Sequence, residues 1–342
     1  MNHKTSFKPK VILLWNDLGP WKDYQYGIGK FEPFVKRNCP VTNCEITKNK
    51  SHLSESDLVI VHMRSKFSYL PTNRPEKTRM VFFIIESPIH SYQFHPKYNG
   101  LFNLTATYNL NSDFSPYYYS NIEFKWERNL KFDENQDFSI NKTKLAFFLA
   151  TNCRAFSKRT EYVKEMQKHS NRIDVYGGCG KSCNISGEDR FSSNLCRQKL
   201  SKDYRFLLAF ENSMCKDYIT EKLLDTVLFD IVPVVFGYGP YDQLIPRSAY
   251  INALDFKTPK ELVNYLTYLE SNSTAYNSYF KWKKYIKKTN TKYNTLCDMC
   301  IKLNLENFYG VKKSIVNDLE TFWGVKKNCW AAPNLFQKRT KN

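Results

Sequence analysis

The chain has 342 residues, 42% of them hydrophobic, with 25 Phe and 23 Tyr; it is long enough for two α/β domains and too aromatic for a disordered chain. Its formal net charge of +18 suits a polyanion, an anionic membrane surface or a phosphorylated substrate, with part of the lysine excess serving as solvated surface. No run approaches the ~18 consecutive apolar residues of a membrane span, and the longest early run, Val11 to Trp15, is too short for a signal-peptide h-region.

Lys10 to Trp15 reads as a first buried strand, and Asp57 to Met63 and Met80 to Ile85 as two more. Polar connectors between them indicate a parallel sheet. The third run stops at Glu86-Ser87-Pro88, which puts a carboxylate at a strand's C-terminal edge, and Leu104 to Tyr108 reads as a fourth strand. Residues 127–143 are polar and lack apolar periodicity, as a linker would. The grammar then restarts. Lys144 to Ala150 is a strand, Ser157 to His169 an amphipathic helix, and Arg172 to Tyr176 a strand ending at Gly177-Gly178.

Tyr204 to Phe210 is a short apolar strand that ends in Glu211-Asn212-Ser213. A loop with Asp217 and Tyr218 follows, then a helix expected over Ile219 to Phe229, opened by Thr220, Glu221 and Lys222, and a strand over Ile231 to Phe236. Strand, loop, helix and strand form a βαβ unit whose polar residues gather where the first strand meets the helix N-terminus. Ligands bind in that crevice, and anions favour the helix N-terminus. Lys222 is poorly placed for the macrodipole and makes more sense against a phosphate. Glu221 suits ribose hydroxyls, and Arg159 on the preceding helix can supply a second cation to a diphosphate. Ala249 to Leu254 is a further sheet edge, and Thr258-Pro259-Lys260-Glu261 a capping box that opens a helix. The simplest architecture is two Rossmann-like α/β halves facing across a cleft. They are expected over residues 1–135 and 136–290, with a terminal segment at 291–342.

Ten cysteines are present, at positions 39, 44, 153, 179, 183, 196, 215, 297, 300 and 329. Cys297-Asp298-Met299-Cys300 has neither a matched second pair nor a nearby histidine, so disulfides are favoured over zinc and no metal ligands are assigned. Sequons at Asn49, Asn103, Asn141, Asn184 and Asn272 hint weakly at secretion.

Phe210 to Lys222, FENSMCKDYITEK, resembles the signature of the alpha-1,3-fucosyltransferase family, F-E-N-S-x-x-x-D-Y-[IV]-T-E-K. Thr151-Asn152-Cys153 with Arg159, Asp174-Val175-Tyr176-Gly177, Val232-Pro233-Val234-Val235, Tyr241 to Pro246 and Tyr279 to Trp282 resemble the flanking family segments. Glu86-Ser87-Pro88 and Phe102-Asn103-Leu104-Thr105 stand in the family's order in the first half. The resemblance implies a GT-B fold with the nucleotide-sugar in the C-terminal domain, GDP-fucose as donor and inverting transfer to a GlcNAc hydroxyl of a glycan. Arg159 and Lys222 fall at its diphosphate positions and Glu221 at its ribose position. Asn152, Tyr176, Gly177, Glu211, Asn212, Ser213, Tyr218 and Tyr241 fall among its donor positions, and Glu86 at its catalytic base.

The resemblance also pairs Cys39 and Cys44 with Cys297 and Cys300, tying the last segment to the first domain; Cys179, Cys183, Cys196 and Cys215 receive no partner. It implies residence in the Golgi lumen, with membrane association through an anchor outside this sequence. No cofactor is implied, and a divalent cation only as a stimulant. Relatives carry Y-R-x-D-S-D after F-N-L-T where this chain has Tyr108-Asn109-Leu110-Asn111-Ser112-Asp113, so two charges are replaced by Asn109 and Asn111. That leaves a catalytically weak relative as a second reading. A nucleic-acid-binding protein is the rival from another class, on the charge and the basic, aromatic stretch at 281–288; no nucleic-acid module supports it.

Overall fold

A computed structural model gives the fold for residues 8–17, 26–91, 94–114, 123–126, 131–183, 193–289, 295–309 and 316–332. The chain divides into two compact units. The first comprises Met1–Glu123 with Asn290–Cys329, the second Phe124–Thr289 with Trp330–Asn342. The sequon at Asn184 lies outside the described residues.

The described residues of the first unit build a six-stranded sheet in the order β2-β3-β1-β4-β5-β6. Its strands are β1 (Lys10–Leu14), β2 (Gly29–Lys30), β3 (Cys44–Thr47), β4 (Leu58–His62), β5 (Arg79–Ile84) and β6 (Leu104–Thr107). All neighbours run parallel except β2, which pairs antiparallel with β3. Parallel sheets are covered on both faces, which explains the unbroken apolar runs: every residue of Leu58–His62 is buried. Two short strands, β2 and β3, had no such run and were not expected.

Thr295–Tyr309 forms a helix against this sheet, and Leu296, Met299 and Leu303 join its core. Cys297 and Cys300, three apart, share one helix face. They bond to Cys39 and Cys44, with Cα–Cα distances of 5.2 and 6.0 Å. In the chain-entropy account, a bridge closing a loop of 258 residues stabilises by about 5 kcal/mol. The second bridge then closes only a small ring and adds about 3 kcal/mol.

The second unit holds, apart from Glu123, a two-stranded ribbon of β7 (Glu123–Trp126) and β13 (Ile286–Thr289) and a five-stranded parallel sheet, order β12-β11-β10-β8-β9. Its members are β8 (Lys144–Leu149), β9 (Ile173–Tyr176), β10 (Tyr204–Phe210), β11 (Val232–Phe236) and β12 (Ile251–Asn252). Side chains alternate along β10: Phe206, Leu208 and Phe210 enter one core, Leu207 and Ala209 the other. The helix Pro259–Ser271 starts as its capping box demands. Thr258 accepts from the Glu261 amide at 3.2 Å, and Leu262, Leu266 and Leu269 are buried.

Two expectations need correction. Residues 131–143 are no linker, because Phe138 stacks on Phe280 (centroids 4.2 Å apart) and its amide donates to Asn277 Oδ1 at 2.9 Å. Nor does a helix span 219–229. Only Glu221–Leu224 is α-helical, followed by a 3₁₀ turn at Thr226–Leu228. Two side-chain contacts sit where the helix tightens: Asp225 lies 3.2 Å from Arg197, and the Thr226 hydroxyl bonds back to the Lys222 carbonyl. One turn has little macrodipole, so any anion held here must be held by side chains.

Candidate active site

Counted in chain order, the parallel strands of each sheet lie in the spatial order 2-1-3-4-5. In such doubly wound sheets the chain leaves strands 1 and 3 in opposite directions, opening a crevice beyond their carboxyl ends. That switch point falls between β8 and β10 in the second unit and between β1 and β4 in the first.

Arg159 spans the second unit's switch point. It opens the helix Arg159–Gln167 and is 3% exposed. Its Nη1 donates to the Phe210 carbonyl at the end of β10 (2.8 Å) and its Nη2 to the Asn152 carbonyl beyond β8 (3.2 Å). The Phe148 ring lies 5.5 Å from the guanidinium carbon. Ser157 adds two bonds between the same loops, from Oγ to the Glu211 carbonyl (2.6 Å) and from its amide to the Asn212 carbonyl (3.1 Å). Cys153–Cys179 ties the loop after β8 to the loop after β9, and Cys183–Cys196 closes a further loop.

Lys222 is the centre of the charged cluster. Its Nζ donates to Thr220 Oγ1 at 2.8 Å and lies 3.2 Å from Glu211 Oε2 and 3.3 Å from Glu221 Oε1. Glu211, buried directly after β10, accepts from both the amide and the hydroxyl of Thr220, at 2.9 Å each. Arg197 stands 3.6 Å from Glu221. Burial acts against each charge, and the partners decide the outcome. Burial alone would raise the Glu221 carboxyl, but Lys222 and Arg197 hold it down at about 2. Burial would lower the Lys222 ammonium, yet Glu211 and Glu221 carry it above its ordinary value, with Arg159 opposing. Glu211 goes the other way: desolvation outweighs Lys222 and its pKa is raised.

The remaining positions expected at a donor site divide. Asn152, Asn212 and Ser213 sit at the switch point; Ser213 is fully buried and donates to Asn212 Oδ1 at 3.1 Å. Gly177 follows β9 with φ +83°, and a Cβ there would come within 2.7 Å of the Ala150 carbonyl, so only glycine lets the two loops approach. The Tyr176 hydroxyl is joined to Tyr204 at 2.9 Å, which donates to Asp174 at 2.6 Å; it belongs to that chain and not to the Lys222 cluster. Tyr218 is buried, and the Tyr241 hydroxyl crowds Gly237, where a Cβ would lie 2.7 Å from it. Arg197, Thr220 and Ser157 join this cluster and its loops beyond the ligands that the sequence points to. Arg197 carried no readable signal, since a lone arginine on a polar helix looks like surface.

Glu86 belongs to the first unit, two residues beyond β5. Its Oε1 accepts from Arg64 Nη1 at 2.8 Å, and the carboxylate is 24% exposed. After β6, the Asn109 side chain accepts from the Asn111 amide at 2.9 Å. The two residues that replace charges thus close a local turn. Among the described residues no group of three or more His, Cys, Asp or Glu is arranged for a metal ion, and no helix is long and apolar enough to cross a membrane.

Residues 7–119 match the fucosyltransferase N-terminal domain, and residues 139–322 the C-terminal domain of glycosyltransferase family 10 (fucosyltransferase). Glycoprotein 3-alpha-L-fucosyltransferase A of Drosophila melanogaster is 38% identical over 316 residues, 89% of this chain and 58% of that protein. Alpha-(1,3)-fucosyltransferase C of the same fly is 30% identical over 334 residues, 91% of this chain and 76% of its own length. The chain thus spans a little over half of the first relative. Among solved structures, a crystal structure of an alpha1,3-fucosyltransferase with GDP-fucose superposes with TM-score 0.54 at 16% identity, covering 91% of this chain and 93% of that one. That likeness establishes a GT-B-type fold of two Rossmann-like domains. With both domains matched, and in order, this chain belongs to glycosyltransferase family 10, the fucosyltransferases.

Proposed function

We propose that this chain transfers L-fucose from GDP-fucose, with inversion, to the 3-hydroxyl of a GlcNAc in a glycoprotein or glycolipid glycan. The observation that carries this reading is the cluster of Arg159, Glu211, Glu221 and Lys222 at the β8/β10 switch point. In this reading Lys222 turns from its two carboxylates to the diphosphate, and Arg159 adds positive charge beneath it. Stabilising the departing GDP by fixed cations is an electrostatic contribution that needs no reorganisation of water. Glu221, held ionised, accepts hydrogen bonds from the ribose hydroxyls. Asn152, Tyr176, Gly177, Asn212, Ser213, Tyr218 and Tyr241 line the rest of the donor subsite.

Glu86 is the general base. It removes the proton of the acceptor hydroxyl as the oxygen attacks the anomeric carbon from the face opposite GDP, a step worth about 10²–10⁴-fold. Arg64 keeps that carboxylate oriented. The described cysteines are all oxidised, which suits an oxidising compartment, and we place the reaction in the Golgi lumen.

The test is GDP-fucose turnover against an array of N-glycans, separating core GlcNAc from antennary LacNAc and LacdiNAc acceptors. An α-linked product from the β-linked donor establishes inversion. Absence of transfer to every acceptor, with the donor hydrolysed or untouched, defeats the reading.

A further inference from the structure

At the carboxyl edge of the first unit's sheet stands an aromatic pair that the reaction as proposed does not use. Trp15 follows β1, is anchored by its amide to the Ile60 carbonyl at 2.9 Å, and is only 4% exposed. Its indole Nε1 donates to the Tyr69 carbonyl at 2.8 Å. The Tyr69 ring packs edge-on against it, centroids 5.4 Å apart, and remains 61% exposed. Lys50 completes the group, with its ammonium 4.4 Å from the Trp15 centroid and 5.8 Å from that of Tyr69.

A single exposed tyrosine on a surface needs no explanation. This one is fixed on three sides: its backbone carries the tryptophan's hydrogen bond, its edge meets the indole, and a cation shares both rings. A rigid aromatic with an apolar face and a polar tip suits a pyranose ring, which has an apolar C–H face and a rim of hydroxyls. Its place matters as much as its chemistry. β1 and β5 are separated in the sheet by β4 alone, and the register sets Leu14 level with Val81, so the end of β5 at Ile84 stands roughly 14 Å from the end of β1 at ordinary strand geometry. Glu86 lies beyond β5 and the Trp15–Tyr69 pair beyond β1. Both side chains extend from these ends, so one can meet the reacting sugar while the other meets a sugar linked to it.

We propose that Tyr69, braced by Trp15 and Lys50, is the stacking platform for the acceptor sugar next to the GlcNAc that receives fucose. Lys50 would donate to a hydroxyl at that sugar's rim. This rests on the proposed transfer reaction, with Glu86 as base.

The test compares the wild-type chain with Tyr69→Ala, Tyr69→Phe and Tyr69→Trp, using GlcNAc alone and a GlcNAc-containing disaccharide as acceptors. Tyr69→Ala is expected to raise the disaccharide KM about tenfold while leaving the GDP-fucose KM and the monosaccharide KM within about twofold. The Phe and Trp variants keep the wild-type disaccharide KM. Saturation-transfer NMR of the disaccharide with the Glu86→Gln chain, without donor, should show contact from the second sugar, lost in Tyr69→Ala, Glu86→Gln. An unchanged disaccharide KM, or equal loss for both acceptors, overturns the platform. A wild-type chain that transfers to neither acceptor fails the reaction instead, and the NMR contact then decides the platform by itself.

Discussion

Lys222 Nζ lies 3.2 Å from Glu211 Oε2, a carboxylate whose side chain is 1% exposed. A buried pair of this kind rarely stabilises a fold over an apolar alternative, and breaking it from one side is costly. Its presence at a switch point accords with the diphosphate-binding role proposed for the ammonium.

Lys222→Ala should cost about 3 kcal/mol in urea unfolding at pH 7, because Glu211 is left buried without its cation. Adding Glu211→Gln removes the stranded charge and should restore part of that stability. Donor use should separate the two effects, with the GDP-fucose KM remaining at least tenfold raised in the double variant. A double variant with wild-type donor response would place the diphosphate elsewhere.

Glu221 makes stability depend on acid. Its carboxyl is held at about 2 from an ordinary 4.5. The contribution is therefore complete above pH 4.5 and is lost as pH falls through 2. Its upper limit is about 3 kcal/mol, reduced by solvent around a side chain that is 30% exposed. Glu211 works in the opposite sense, since its pKa is raised and protonation relieves a cost of burial. Unfolding by urea at pH 7, 4.5 and 3 should show Glu221→Gln flattening the acid decline. The same slope in both chains would refute the assignment.

Glu86→Gln should lower kcat by 10²–10⁴-fold with the GDP-fucose KM and GDP affinity unchanged. Arg64→Ala, which removes that ion pair, should reduce kcat less, by about tenfold. Undiminished turnover in Glu86→Gln would remove Glu86 from the chemistry.

The two bridges from the helix Thr295–Tyr309 should not contribute additively. Replacing Cys39 and Cys297 by Ser, or Cys44 and Cys300, should each cost about 3 kcal/mol, because the surviving bridge still closes the long loop. Removing both should cost more than the sum of the two. Equal increments by chemical denaturation would show that the bridges act independently.

The strands were readable because parallel sheets demand apolar runs, as in Leu58–His62 and Tyr204–Phe210. Where a residue's role depends on one distant partner, composition is silent. Phe138 reads as loop until it meets Phe280, and Arg197 reads as surface until it meets Glu221. The helix expected over 219–229 is one α-turn followed by a 3₁₀ turn, a distinction that apolar periodicity does not register. The charged cluster is visible as residue types at a strand end, whereas the contact of Lys222 with both Glu211 and Glu221 required coordinates. Tyr176 stands at a position where the resemblance implies a donor contact, and only the structure shows its hydroxyl joined to that of Tyr204.

The first unit is written in two instalments, with residues 124–289 between them. On a ribosome, Cys39 and Cys44 emerge more than 250 residues before their partners. At 5–20 residues per second they wait on the order of ten to fifty seconds as thiols. During that interval the sheet lacks its covering helix, and Cys153 and Cys179 emerge as competitors. Correct pairing thus depends on thiol–disulfide exchange after release, so yield of the native chain should follow the host's isomerase supply more than its rate of synthesis.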